Sequence, residues 1–497
     1  MSESSYPVMF SIFISAAKVR KYSDADKFFD NYFKTIKNNR TFVAHSRESM
    51  LREEDKKAIL SLLKQQVVPA IGCTEPMAVA LCVAKARELL GCCPERIDLR
   101  LSANILKNAM GVGIPGTGMI GLPIAVALGA LIGRPERGLE VLCDCNAQAV
   151  ADGKRYISED RIHVTLEEVD PDKLYINALC TAGGHSAEAR IKTEHTHFVM
   201  LRKDGTSLLS SPGEEPVSVL PNDALQEKDW CEEKPFELTM RQVYDFALDT
   251  SEDELRFILE AKKLNEAAAA SGLKENYGHQ LGKTMCSPLG RGIMGDSIFA
   301  KVLSVTSCAC DARMAGAMIP VMSNSGSGNQ GICATMPVVV FAEENHNTEE
   351  ELIRALVLSN LTAIYMKQSL GSLSALCGCV VASTGAACGI TYLMGGTYEQ
   401  VCYSVKNMVA NLTGMICDGA KPSCALKLTT GVGTAVMSAM LAIQHKYVTP
   451  AEGIIDEDVD QSIRNLTAIG SRGMDETDRY VLDIMTHKNK GKKENEK

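Results

Sequence analysis

The chain has 497 residues, is 45% hydrophobic and 23% charged, and carries a net charge of −9 with an isoelectric point of about 5.6. That length corresponds to two or three domains of ordinary size and can bury a large core. The acidic balance argues against a nucleic-acid partner, because phosphate binding needs a concentrated basic surface.

Residues 1–49 are polar and aromatic-rich (FFDNYF) with weak periodicity, and read as an extension of no defined order. The apolar stretch 8–17 has no positive side chain before it, so it does not read as a secretory signal, and a cytoplasmic location is expected. An amphipathic helix begins near Met50, with Ile59, Leu60, Leu62, Leu63, Val67 and Val68 on one face. From there to about residue 235 the pattern is mixed. Residues 76–90 and 119–132 predict helices. The alternation Ile97, Leu99, Leu101, Ala103 predicts a strand, and 138–143 and 162–166 are shorter strand candidates. Residues 187–201, followed by Lys203-Asp204-Gly205-Thr206, predict a β-hairpin arm. Segment 114–133 has about the length of a membrane span, yet it holds five glycines and two prolines and no second span accompanies it. It reads as a buried Gly-rich loop leading into a core helix, and no membrane partner is expected. Residues 211–234, with Pro212, Pro216 and Pro221, predict a linker.

Beyond residue 236 strand signals nearly vanish. Helical patterns run through 239–249, 252–271, 349–368, 398–412 and 424–444. The fold class expected is therefore α+β. A mixed α/β domain (50–235) carries the hairpin arm, and an all-α helical bundle (236–484) follows. Residues 485–497 mix charge signs without apolar residues and read as a frayed tail.

Eighteen cysteines dominate the composition. Without an export signal disulfides are not expected. Most of these thiols, such as Cys82, sit in apolar helical runs and read as small buried hydrophobes. Those in polar, Gly-containing turns invite a chemical reading. In Gly72-Cys73-Thr74-Glu75-Pro76, Pro76 suits the first turn of a helix and Thr74 its N-cap. Cys73 would then precede a helix N-terminus, where the dipole favours a thiolate and lowers its pKa. The bland alternative is a structural cysteine in a turn. Gly111, Gly113 and Gly116 have dinucleotide-loop spacing, but Pro115 prolongs the turn and no helix opens on the glycines. A nicotinamide cofactor is not expected, although such a loop can hold a carboxylate.

The run 323–331 (SNSGSGNQG) has many donors and little bulk between two apolar stretches, which suits close approach of a small anion. Cys377-Gly378-Cys379 and Cys417–Cys424 (CDGAKPSC) complete the set. Two thiols can converge across the second turn and a third can come from the 377/379 pair. Three ligands with an open corner suit a Lewis-acid cluster. A structural zinc site wants paired Cys-x2–4-Cys units, which this spacing lacks. Unrelated buried thiols are the competing reading. His185, His195 and His197 read as ordinary hairpin residues.

In this order the motifs resemble the L-cysteine desulfidase family, which is related to the iron–sulfur L-serine dehydratases. The carrying pieces are GCTEP at 72–76, LKN with IPGT within 106–117, GGHSAEARI at 183–191, SNSGSGNQGI at 323–332, LCGC at 376–379 and CDGAKPSC at 417–424. The resemblance covers residues 50–483. It implies a [4Fe–4S] cluster held by Cys377, Cys417 and Cys424, with Cys379 the rival for the first position. It also implies Cys73 as catalytic base, and cleavage of L-cysteine to pyruvate, ammonia and hydrogen sulfide. Asn324, Ser325, Asn329 and Gln330 are expected to hold the substrate carboxylate, and Lys107 and Asn108 to orient the amino acid. Homo-oligomerisation is left open. L-serine dehydration by the same cluster is the nearest rival. A pyridoxal-phosphate lyase using Lys107 and a cysteine-rich metal or redox sensor are the others.

Overall fold

A computed structural model describes residues 51–169, 172–209, 236–371 and 374–487. The expected linker at 211–234 and the extension at 1–49 lie outside the described residues. The same is true of most of the expected tail, of which residues 485–487 complete the last helix.

The fold is α+β, as expected. Helix α1 (Glu53–Gln66) has three acidic residues in its first turn and Lys64 in its last, charges that favour the peptide dipole at both ends. It is followed by α2 (Thr74–Leu90), whose Ala- and Val-rich face is buried throughout and which ends on Gly91 at φ 86°. Strand β1 (Arg96–Leu101) buries Ile97, Leu99 and Leu101 as its alternation predicts. Three helices follow, α3 (Ala103–Ala109), α4 (Leu122–Leu131) and α5 (Ala147–Ser158).

The rest of the sheet is β2 (Ile162–Leu166), β3 (Tyr175–Ala182), β4 (His185–Lys192), β5 (Phe198–Lys203) and β6 (Thr206–Ser207), in the order β2-β1-β3-β4-β5-β6. Only the β1–β2 pairing is parallel. The expected turn at Asp204-Gly205 is present, with φ of 47° and 79°, and it joins β5 to β6.

Several sequence expectations need correction. The strand candidate at 138–143 is a tight helical turn over Pro135–Glu140, because Pro135 fixes its entry and Gly138 reverses the chain at φ 56°. The helix expected from 119 begins at Leu122. Met119–Ile120 pairs instead with Gly113–Ile114 in a short hairpin. The single arm expected at 187–201 is two strands, β4 and β5, broken at Thr193–His197. The preceding β3 carries no alternation because most of its residues are buried on both faces.

The second half contributes α6 (Met240–Asp249), α7 (Leu259–Lys274), α8 (Ile298–Met314), α9 (Gly328–Glu344) and α10 (Glu349–Leu370). Then come α11 (Gly378–Leu393), α12 (Tyr398–Leu412), α13 (Cys424–Ile443), α14 (Val459–Ala468) and α15 (Asp475–His487). Helices α8, α9 and α11 are buried along most of their surface, polar positions included, so no amphipathic period marks them in the sequence. At the centre α11 packs against α9, α10, α12 and α13. Gly385 permits this approach, since a β-carbon there would lie 2.2 Å from the Ser359 carbonyl oxygen. Among the described residues α13 alone is long and apolar enough to cross a membrane, and 61% of it is buried inside the protein.

The two halves are stitched by main-chain pairing. Pro69–Ala70 runs antiparallel to Val321–Met322. Ser323 N–H donates to the Val68 carbonyl at 2.8 Å and Ser325 N–H to that of Gln66 at 3.0 Å. This seam sets the turn at Cys73 against the loop that leads into α9.

Candidate active site

Beside the seam lies a cavity of about 340 Å³ with three walls. The first is the turn into α2. Gly72 sits at φ 71°, and a β-carbon there would meet Pro115 Cγ at 2.4 Å. The N-cap is Cys73 rather than the expected Thr74, and Pro76 falls within the first turn. The Cys73 thiol donates to Glu75 Oε2 at 2.8 Å. The same carboxylate accepts from Thr74 Oγ1 at 3.1 Å and from Asn108 Nδ2 at 3.1 Å.

This overturns the expectation of a low-pKa thiolate. Burial pushes the Cys73 thiol well above its ordinary value and the Glu75 carboxylate pushes it further, with Arg313 opposing. The helix dipole is outweighed by a carboxylate in hydrogen-bond contact and by the loss of water. Burial acts to raise the Glu75 carboxyl. The His195 charge, the Cys73 hydrogen bond and Arg313 together outweigh it and hold the group below its usual range.

Lys107 lines the same wall, fully enclosed, with its ammonium ion-paired to Asp478 of α15. That pairing commits it and leaves little room for a Schiff-base role. Asn108 also lines the wall, and its amide serves Glu75.

The second wall is the loop before α9. Only Ser323–Ser327 is loop. Ser327 caps α9 through the Gln330 N–H, so Gly328–Gly331 form its first turn rather than free chain. Ser325, at φ 48°, together with Asn329 and Gln330, faces the cavity. Asn324 departs from the expectation. Its side chain is fully buried and donates to the Asn360 carbonyl and side-chain oxygens at 3.1 and 3.0 Å, which fastens the loop to α10. The Asn329 side-chain oxygen accepts from Arg313 Nη1 at 3.0 Å. Arg313 Nη2 in turn donates to the Gly72 carbonyl at 2.8 Å, linking the first two walls.

The third wall holds the thiols. Cys377 N–H donates to the Met415 carbonyl at 2.9 Å and Cys417 N–H to that of Ala375 at 2.7 Å, which sets residues 375–377 and 415–417 side by side. Cys377 and Cys379 place their sulfurs 3.1 Å apart. Cys424 opens α13, and its sulfur lies 3.7 Å from the Gly419 carbonyl oxygen. Gly419, at φ 90°, abuts α3 so closely that a β-carbon would lie 2.1 Å from the Lys107 carbonyl oxygen. Cys377, Cys379, Cys417 and Cys424 all line the cavity.

All four thiols sit above their ordinary value. For Cys377 the largest cause is Cys379, for Cys417 it is Cys377, and for Cys424 it is burial. In Cys379 the contact with Cys377 lowers the value but burial and neighbouring thiols outweigh it. Among the described residues no group of three His, Cys, Asp or Glu side chains is disposed to hold a single metal ion. The donor chemistry nevertheless fits iron–sulfur ligation: four soft thiols share one cavity wall. Ligation would require their protons to leave.

Sequence reasoning missed Glu75, His195, Asn104 and Arg313 among the cavity residues. Glu75 stands in the same motif as Cys73, and its two-residue spacing was the available signal. His195 was read as a hairpin residue, yet its Nε2 is buried without a partner on the cavity wall. The side-chain oxygens of Asn104 and Gln330 are likewise buried and unpartnered. Arg313 and Asn104 carried no sequence signal, because only the packing of α8 and α3 brings them here. Buried polar groups left open around one cavity mark a place built for a polar ligand.

Residues 136–483 match the family model described as serine dehydratase alpha chain. The chain is 64% identical over 436 residues to a UPF0597 protein of Bacteroides thetaiotaomicron, covering 88% of this chain and 99% of that protein. Over 433 residues it is 56% identical to a UPF0597 protein of Parabacteroides distasonis, covering 87% and 98%. A UPF0597 protein of Aeromonas hydrophila is 43% identical over 438 residues, covering 88% and 97%.

Proposed function

Because this chain belongs to the serine dehydratase alpha chain family, a family of iron–sulfur lyases, we propose that it eliminates the β-substituent of a small amino acid, with L-cysteine the favoured substrate. The observation that carries this reading is the single cavity in which Cys73 and the wall of four thiols share space with unpartnered polar groups. Cys417, Cys424 and either Cys377 or Cys379 would hold a [4Fe–4S] cluster, which when bound supplies a Lewis-acidic iron to the β-heteroatom.

The protein's own groups account for the rest. Arg313, hydrogen-bonded to Asn329, gives the anionic end of the amino acid a cationic partner, with Ser325 lining the same cavity. The unpartnered oxygens of Asn104 and Gln330 suit a donor such as the substrate ammonium. Cys73, at the N-cap of α2 and lining the same cavity, takes the α-proton. The aminoacrylate released then hydrolyses to pyruvate and ammonia.

L-Serine dehydration is the second reading, and the description of the matched family favours it. The deciding experiment is anaerobic purification with iron and acid-labile sulfide analysis, followed by parallel assays. Sulfide release from L-cysteine exceeding pyruvate release from L-serine supports desulfidation. The reverse ranking supports dehydration, and turnover of neither by iron-loaded protein ends the proposal.

A further inference from the structure

We propose that Glu75 is the final holder of the substrate's α-proton, receiving it through Cys73, so that the base is the Cys73–Glu75 pair and not a free thiolate. This rests on reading the cavity as an elimination site.

Three observations point there. The Cys73 sulfur is 2.8 Å from Glu75 Oε2, and both residues line the cavity. Three donors hold Glu75 in place, namely the Cys73 thiol, Thr74 Oγ1 and Asn108 Nδ2. The charged and titratable groups around it are His195, Arg313 and Lys367, which favour an ionised carboxylate, and Cys73 itself. A thiolate forming beside that carboxylate would put two negative charges in hydrogen-bond contact, out of water. The pair therefore rests with the proton on sulfur and the charge on oxygen.

The transfer balances without any other reagent. The Cα–H bond breaks as a new S–H bond forms on Cys73. The original S–H bond breaks as an O–H bond forms on Glu75. The Cα–H electron pair becomes the Cα=Cβ bond, and the Cβ–heteroatom pair leaves with the sulfide or hydroxide. The pair goes from one negative charge to none while the leaving group carries that charge away. Sulfur is never exposed as a free thiolate, so its burial does not obstruct catalysis. Glu75 acts through Cys73 and is in this sense a positioning and proton-accepting partner.

The test uses anaerobically reconstituted, iron-loaded protein with L-cysteine, L-serine and their α-deuterated forms. Glu75→Gln keeps shape and hydrogen bonding but takes no proton. It should lose about 10²–10⁴-fold in kcat while iron content and KM hold. Its α-deuterium isotope effect on kcat/KM should exceed that of the unaltered protein. Glu75→Asp, which keeps an acceptor, should retain more turnover than Glu75→Gln. Formate should restore turnover to Glu75→Ala in a concentration-dependent way, and not to Cys73→Ala. Turnover of Glu75→Gln within a fewfold of the unaltered protein overturns the proposal. So does equal inactivity of the Asp, Gln and Ala variants without formate rescue, which is the outcome a merely structural role gives. Failure of the iron-loaded unaltered protein to process either amino acid would instead remove the elimination reading on which this rests.

Discussion

Lys107 and Asp478 are 371 residues apart in sequence and form an ion pair in which the lysine is 2% exposed and the aspartate 17%. The pair seats α15 against α3, so the last helix is held by a residue of the cavity wall. Removing one partner strands the other charge away from water, and Lys107→Ala should therefore cost on the order of 3 kcal/mol. Denaturant midpoints of Lys107→Ala, Asp478→Ala and the double variant check this. The double variant should lose less than the sum of the two single losses.

Cys73→Ala and Cys73→Ser should lower kcat by about 10²–10⁴-fold while leaving bound iron unchanged, because Cys73 stands on the turn into α2 and is not one of the thiols assigned to the cluster. Iron analysis beside a turnover assay reads both quantities. Full activity in Cys73→Ala would contradict the assigned role.

Single replacements by alanine separate the candidate ligands. Cys417→Ala and Cys424→Ala should each lose iron and acid-labile sulfide on anaerobic gel filtration. Of Cys377→Ala and Cys379→Ala, one should lose the cluster and the other keep it. Which one does so identifies the ligand, since the two sulfurs are only 3.1 Å apart and compete for one position.

Gly419→Ala should weaken both fold and cluster. The position is left-handed at φ 90°, and an added β-carbon would lie 2.1 Å from the Lys107 carbonyl oxygen. Left-handed strain alone costs about 1–3 kcal/mol, and displacing the backbone adds to it. A lowered melting temperature together with faster iron loss is expected. Gly91→Ala is the control, with a similar φ of 86° and nothing within 4 Å, and it should show the strain without the iron loss.

Stability should fall at alkaline pH. Burial is the largest cause holding the thiols of Cys180, Cys308, Cys388 and Cys402 up at about 12. A raised folded pKa gives stability that is complete below the unfolded thiol's value and lost as pH rises through the folded value. The window is thus from about pH 8.5 in the unfolded chain to about 12, with a loss of about 1.4 kcal/mol per pH unit for each such thiol. Denaturation midpoints between pH 7 and 10 should decline, and Cys388→Ala should show a shallower decline.

The sequence by itself determined what local chemistry determines. The alternation of Ile97, Leu99 and Leu101 specified β1, and Asp204-Gly205 specified the turn after β5. The helices read from periodicity at 239–249, 349–368 and 398–412 are present, each opening on a capping pair, Thr239/Gln242, Thr348/Glu351 and Thr397/Gln400. The thiols at 377/379 and 417/424 were legible because Gly and Pro break the helices around them. Helices α8, α9 and α11 were not, because burial on every side erases the period. Tertiary structure alone decided the site. The pairing of Pro69–Ala70 with Val321–Met322 joined walls some 250 residues apart, and the packing of α8 delivered Arg313. Burial reversed the expected behaviour of Cys73, because a thiol's pKa answers to the solvent and charges around it in space, and the chain order beside a helix end does not reveal them.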